Sequence, residues 1–125
     1  MNGKIKVLYV DDEPINLQIF EISFNRSYEV FTARSGKSGL EELEKDPGIS
    51  VIISDMKMPV MNGIEFIKKA REQYPGKKFY ILTGFDITDE IQHALETGLI
   101  IKYFRKPFDL QEIDTAIKEA ISQDG

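Results

Sequence analysis

A three-layer α/β domain built on a parallel sheet is what the sequence predicts, on two observations. Short, nearly continuous apolar runs recur along the chain, and amphipathic segments with helical spacing lie between them. An unbroken apolar run suits a strand covered on both faces, as in a parallel sheet, whereas alternation suits a strand with one wet face. Five strands alternating with five helices, joined by right-handed crossovers, follow from this pattern.

The first strand is Val7 to Val10, and Pro14 suits the first position of the helix after it. In that helix Leu17, Phe20 and Phe24 form one stripe, with Ile15, Ile19 and Ile22 roughly opposite. One stripe packs on the sheet and the other stays near solvent. Val30 to Ala33 is a weaker second strand, and Val51 to Ile53 a clear third. Asn62-Gly63 reads as a loop turn, because the residues after it continue as helix. Phe79 to Leu82 is the fourth strand. Ile87, Ile91, Ala94 and Leu95 make the stripe of the next helix, with Thr88 as its cap. Ile100 to Phe104 is a weaker fifth strand, followed by a stripe of Leu110, Ile113, Ile117, Ala120 and Ile121. A capping box from Asp109 to Glu112 opens that last helix.

With 125 residues the chain amounts to a single domain, 1–125, with no room for an output domain. Hydrophobic content of 42% and charged content of 30% are ordinary for a globular protein. The absence of cysteine removes disulfides and thiolate metal sites. No apolar run approaches the ~18 residues of a membrane span, and none resembles a signal peptide, so the expected address is cytoplasmic, away from membranes. Sixteen basic against 21 acidic residues give a net charge of −5, which disfavours direct nucleic-acid binding.

In parallel sheets of this kind, chemistry gathers at the carboxyl ends of the strands. The first strand ends in Asp11-Asp12-Glu13, the third in Asp55, the fourth in Thr83-Gly84, and the fifth runs into Lys106-Pro107. Acids after strands often serve only as helix caps. Two carboxylates ~4 Å apart, however, repel by about 4 kcal/mol at an effective dielectric near 20, and something must offset that cost. A hard divalent cation does so, and Mg²⁺ typically takes one or two carboxylates and keeps several waters. The single histidine and missing cysteine argue against zinc. A carboxylate nucleophile, magnesium, a lysine clamp and a hydroxyl are together the parts of phosphoryl transfer to aspartate.

Four segments, Val10 to Pro14, Asp55 to Gly63, Thr83-Gly84 and Lys106 to Phe108, make nearly the whole chain resemble a response-regulator receiver domain of two-component signalling. The resemblance implies the flavodoxin-like strand order 2-1-3-4-5. It implies that Asp55 is the phosphoacceptor, attacking a phosphohistidine on a histidine kinase or histidine phosphotransfer protein. Asp12 and Asp55 would ligate Mg²⁺, with Asp11 helping through water and the backbone carbonyl of Lys57 as a third protein ligand. Lys106 would pair with the phosphoryl oxygens, and the bond before Pro107 is usually cis in the family. Thr83 would turn toward the phosphoryl group and Tyr103 rotate inward behind it, changing the face formed by the fourth helix, fifth strand and fifth helix. That face would meet a downstream target or a linked output domain, or dimerise on phosphorylation. Ile15 would lie beside the site, where a phosphodonor docks.

Lys57 and Phe85 stand where the family tunes dephosphorylation, and their size implies slow self-hydrolysis rather than turnover of an external substrate. From Gly98 to Lys106 there is one residue more than in many receivers, a form frequent in multidomain proteins. A degenerate receiver serving as a constitutive interaction module is disfavoured by the intact set of acids, threonine and lysine. A small aspartyl-phosphate phosphatase is disfavoured by Lys57, which stands where such enzymes carry a general acid. A flavin- or nucleotide-binding domain would need a Gly-rich phosphate loop after the first strand, and acids stand there instead. His93 reads as a solvated residue on the outer side of its helix.

Overall fold

In the computed structural model, which describes residues 4–84 and 86–124 (side chains only to 122), strands and helices alternate strictly. The elements are β1 (Lys6–Val10), α1 (Pro14–Phe24), β2 (Glu29–Ala33), α2 (Gly36–Lys45), β3 (Val51–Asp55), α3 (Gly63–Gln73), β4 (Lys78–Thr83), α4 (Asp89–Glu96), β5 (Lys102–Arg105) and α5 (Leu110–Asp124). The sheet is parallel throughout in the order β2-β1-β3-β4-β5. This is the flavodoxin-like arrangement, with its switch point between β1 and β3.

The unbroken apolar runs are explained by the two cores. Leu8, Val10, Ile52, Phe79 and Ile81 face one side, where Leu43 of α2, Ile64 and Phe66 of α3 and Ile91 of α4 close over them. Val7, Tyr9, Val51, Ile53, Tyr80, Leu82 and Phe104 face the other, under Phe20 and Phe24 of α1 and Ile113 and Ile117 of α5. Consecutive strand residues point to opposite faces, so both must be apolar when both faces are covered.

Local signals behave as their chemistry requires. Pro14 opens α1, where its missing N–H costs nothing. Thr88 caps α4 by accepting the Ile91 N–H at 3.2 Å. Asp109 accepts from the N–H groups of Gln111 and Glu112 at 2.9 and 3.3 Å. A reciprocal capping box lies at Asn62 and Glu65, so the residues read as a loop turn are the formal start of α3.

Two expectations need correction. The fifth strand begins at Lys102, not Ile100, because the end of α4 holds the preceding backbone. The N–H groups of Leu99 and Ile100 both turn back to the Ala94 carbonyl, and Gly98 takes the left-handed conformation (φ +77°) that ends a helix this way. Leu110 is 49% exposed, and Ala116 takes a buried place on α5 that the expected stripe omitted. Among the described residues no helix is long and apolar enough to cross a membrane.

Candidate functional site

The register of the central strands builds the site. Val10 pairs with Ser54 across β1 and β3, so the next residues, Asp11 and Asp55, emerge side by side at the carboxyl edge. Asp11 is also tied to β2 through its own N–H, which donates to the Ala33 carbonyl at 3.1 Å. Asp12 follows at the surface. Carboxylate oxygens of Asp11, Asp12 and Asp55 lie within 4.8 Å of one another. Asp11 and Asp55 are buried, and Asp12 is half-buried.

Lys106 reaches this cluster from beyond β5. Its Nζ donates to Asp11 Oδ2 at 2.9 Å and lies 3.3 Å from Asp55 Oδ1. Burial pushes the Asp55 carboxyl above its ordinary range, with Lys106 pulling down and Asp11 adding to the rise. Burial also works against the Lys106 ammonium, but its hydrogen bond to Asp11 and the two carboxylate charges outweigh that and hold its pKa up. The Lys106–Pro107 peptide bond is cis.

Asp11 has partners the sequence reading missed. Tyr9 donates its hydroxyl to Asp11 Oδ2 at 2.6 Å and Asn16 of α1 donates to the same oxygen at 3.2 Å, while the Glu13 N–H donates to Oδ1 at 2.9 Å. Burial, then the hydrogen bond to Asp11, drive the Tyr9 phenol far above its usual range, so it stays a donor. The signal was present: strand residues two apart share a face, which places Tyr9 below Asp11. Gly63 was also missed. A Cβ there would stand 2.3 Å from the Asp55 carbonyl oxygen, so the chain can pass this close to β3 only without a side chain.

Thr83 is buried at the end of β4, and with Lys57, Met58 and Thr88 it lines a cavity of about 360 Å³ between the loops after β3 and β4. Tyr103 is half-buried on β5 beside Ile81, packed against the core that includes α4. Phe85, expected to influence dephosphorylation, lies outside the described residues. On α1, Leu17, Phe20 and Phe24 are buried while Ile15, Ile19 and Ile22 are 67%, 49% and 67% exposed. His93 is exposed.

The acidic triad fits a hard cation. Its donors are oxygens alone, its three carboxylates carry more charge than the Lys106 ammonium beside them, and two of them are held in the core where repulsion is least screened. Asp11 Oδ2 already accepts from three donors, which leaves that oxygen little capacity for a cation.

A family model described as the response regulator receiver domain matches residues 7–118. Sporulation initiation phosphotransferase F of Bacillus subtilis is 33% identical over 115 residues, covering 91% of this chain and 91% of that protein. The hydrogenase transcriptional regulatory protein HoxA of Cupriavidus necator is 27% identical over 119 residues, covering 95% of this chain but 24% of that longer protein. Among solved structures, a response regulator receiver domain protein from Clostridium thermocellum superposes with a TM-score of 0.85 at 31% identity, covering 96% of each chain.

Proposed function

The chain belongs to the response regulator receiver domain family, and on that premise we propose that it is a phosphorylation switch whose phosphoacceptor is Asp55. The phosphoryl group comes from a histidine kinase or a histidine phosphotransfer protein, with Mg²⁺ held by Asp12, Asp55 and the Lys57 backbone carbonyl and Asp11 helping through water. The observation that carries this reading is the Lys106 ammonium set between Asp11 and Asp55 inside an acidic triad.

An Asp55 carboxylate oxygen attacks the phosphorus, forming an acyl phosphate. The P–N bond of the donor breaks, and the imidazole nitrogen leaves with its electron pair and takes a proton. Bound Mg²⁺ supplies charge that offsets the carboxylates and the phosphoryl oxygens. Lys106 pairs with those oxygens as a compact point charge. The new group brings roughly −1.5 to −2 charges and three strong acceptors. Thr83 turns its hydroxyl toward them, Tyr103 follows inward, and the surface of α4, β5 and α5 changes. Only such a difference in interaction between two states shifts the population.

Residues 1–125 act as one receiver unit in the cytoplasm, and the altered face meets a protein target, a linked output domain or a second copy. The exposed Ile15, next to the acidic site, belongs to the patch where the phosphodonor docks, so Ile15→Ala slows transfer from the cognate donor. The acyl phosphate hydrolyses slowly, as the large Lys57 side chain favours, and no external substrate is turned over.

Incubation with Mg²⁺ and a small acyl-phosphate donor tests the reading. The expected result is a covalent phosphoryl adduct, labile to hydroxylamine, absent from Asp55→Asn and without Mg²⁺, together with chemical-shift changes at Tyr103 and along α4. An adduct of equal yield on Asp55→Asn would overturn it.

A further inference from the structure

A carboxylate enclosed in a protein core depends on every donor it has. Asp11 is wholly buried, and Lys106 is its one charged donor among the described contacts. The others are the Tyr9 hydroxyl, the Asn16 amide and the Glu13 N–H. Resting Lys106 leans toward Asp11, at 2.9 Å against 3.3 Å to Asp55. On the reading above, that same ammonium must serve the phosphoryl oxygens once Asp55 is modified. The move weakens its hold on Asp11. With an aliphatic residue at position 9, Asp11 Oδ2 would keep only the 3.2 Å amide contact from Asn16.

We propose that Tyr9 is a positioning residue for phosphoryl transfer, its hydroxyl holding Asp11 in place while Lys106 shifts from Asp11 to the phosphoryl group on Asp55. Its bond to Asp11, at 2.6 Å, is the shortest of the three to that oxygen. Tyr9 cannot follow the lysine. Its ring is buried and stacked on Phe20 with centroids 4.4 Å apart, and its backbone lies in β1, paired on both sides. A fixed donor beside a mobile one lets the carboxylate keep its geometry and charge while the mobile partner leaves. A hydrogen bond to an ionised group gains strength when a competing cation withdraws, so the hydroxyl matters more to the loaded state than to the resting one. The inference rests on the roles given above to Asp55 and Lys106.

Tyr9→Phe removes one oxygen and keeps the ring. The probes are Mg²⁺ alone and beryllofluoride at saturating Mg²⁺, each followed by calorimetry, with the unfolding midpoint as a check on the fold. The expected outcome is a beryllofluoride Kd raised about tenfold, as for loss of a bond to a charged acceptor, with the Mg²⁺ Kd unchanged or tighter. A merely structural role would weaken both together, and that result overturns the proposal, as does an unchanged beryllofluoride Kd. A variant that no longer folds also overturns it, because the resting Asp11 retains three donors. If instead the unaltered chain binds no beryllofluoride, or Asp55→Asn binds it as well, the phosphoacceptor reading itself fails and takes this proposal with it.

Discussion

Val60 sits where a β-branched residue is least at home. Its φ is +71°, and the Met61 N–H donates to the Pro59 carbonyl at 2.7 Å, closing a three-residue turn around it. Left-handed backbone costs a non-glycine residue about 1–3 kcal/mol, and a branched Cβ makes it an outlier. The side chain is fully exposed, so replacing it forfeits no packing. Val60→Gly removes the strain but raises the entropy of the unfolded chain, an offset of about 0.5–1 kcal/mol. The net is a stabilisation of about 1 kcal/mol, equivalent to a Tm rise of about 3–5 °C for a domain of this size. Urea unfolding at neutral pH without Mg²⁺ is the assay, and the midpoint should rise with an unchanged m-value. Val60→Ala keeps a Cβ in the same conformation and should gain less than half as much. A midpoint for Val60→Gly at or below that of the parent chain would refute the strain argument.

Other substitutions report on the same loop and on the charges beneath it. Gly63→Ala should lower stability by about 1–3 kcal/mol through overpacking against the Asp55 carbonyl, and calorimetry should show weaker Mg²⁺ binding because β3 and α3 must part. Asp55→Asn should raise the unfolding midpoint in metal-free buffer at neutral pH. The folded pKa of Asp55 is raised, so the ionised form opposes folding; the full stability is present below the unfolded value and has been lost once pH has risen through the folded one. Added Mg²⁺ should reverse the order, since a ligand at 100 times its Kd stabilises by about 2.7 kcal/mol only the chain that binds it. Tyr80 is buried and its phenol is pushed up to about 12, so it keeps its proton where the unfolded chain releases it near 10. Stability should therefore hold below that unfolded value and fall as pH rises toward 12, as a stability-versus-pH series would show.

Much of this molecule was legible in the chain. Continuous apolar runs named the strands because both faces of a parallel sheet are covered, and two cores do cover them. The strand-end acids and Lys106 announced themselves by position. The capping box at Asn62 was equally legible and was passed over, because Asn-Gly also signals a turn. Other features were set by backbone geometry and packing that side-chain periodicity does not show. The late start of β5 follows from a helix end that claims two N–H groups, and the exposure of Leu110 from how α5 meets the sheet.

By itself the sequence determined the alternation of elements, the two-sided burial of the strands and the residue types gathered at one edge, because these depend on local periodicity. Only the tertiary structure decided that Val10 pairs with Ser54, which brings Asp11 beside Asp55, and that Lys106 stands between them. Register and side-chain hydrogen bonds arise from contacts between segments up to 95 residues apart, and no local pattern carries that information.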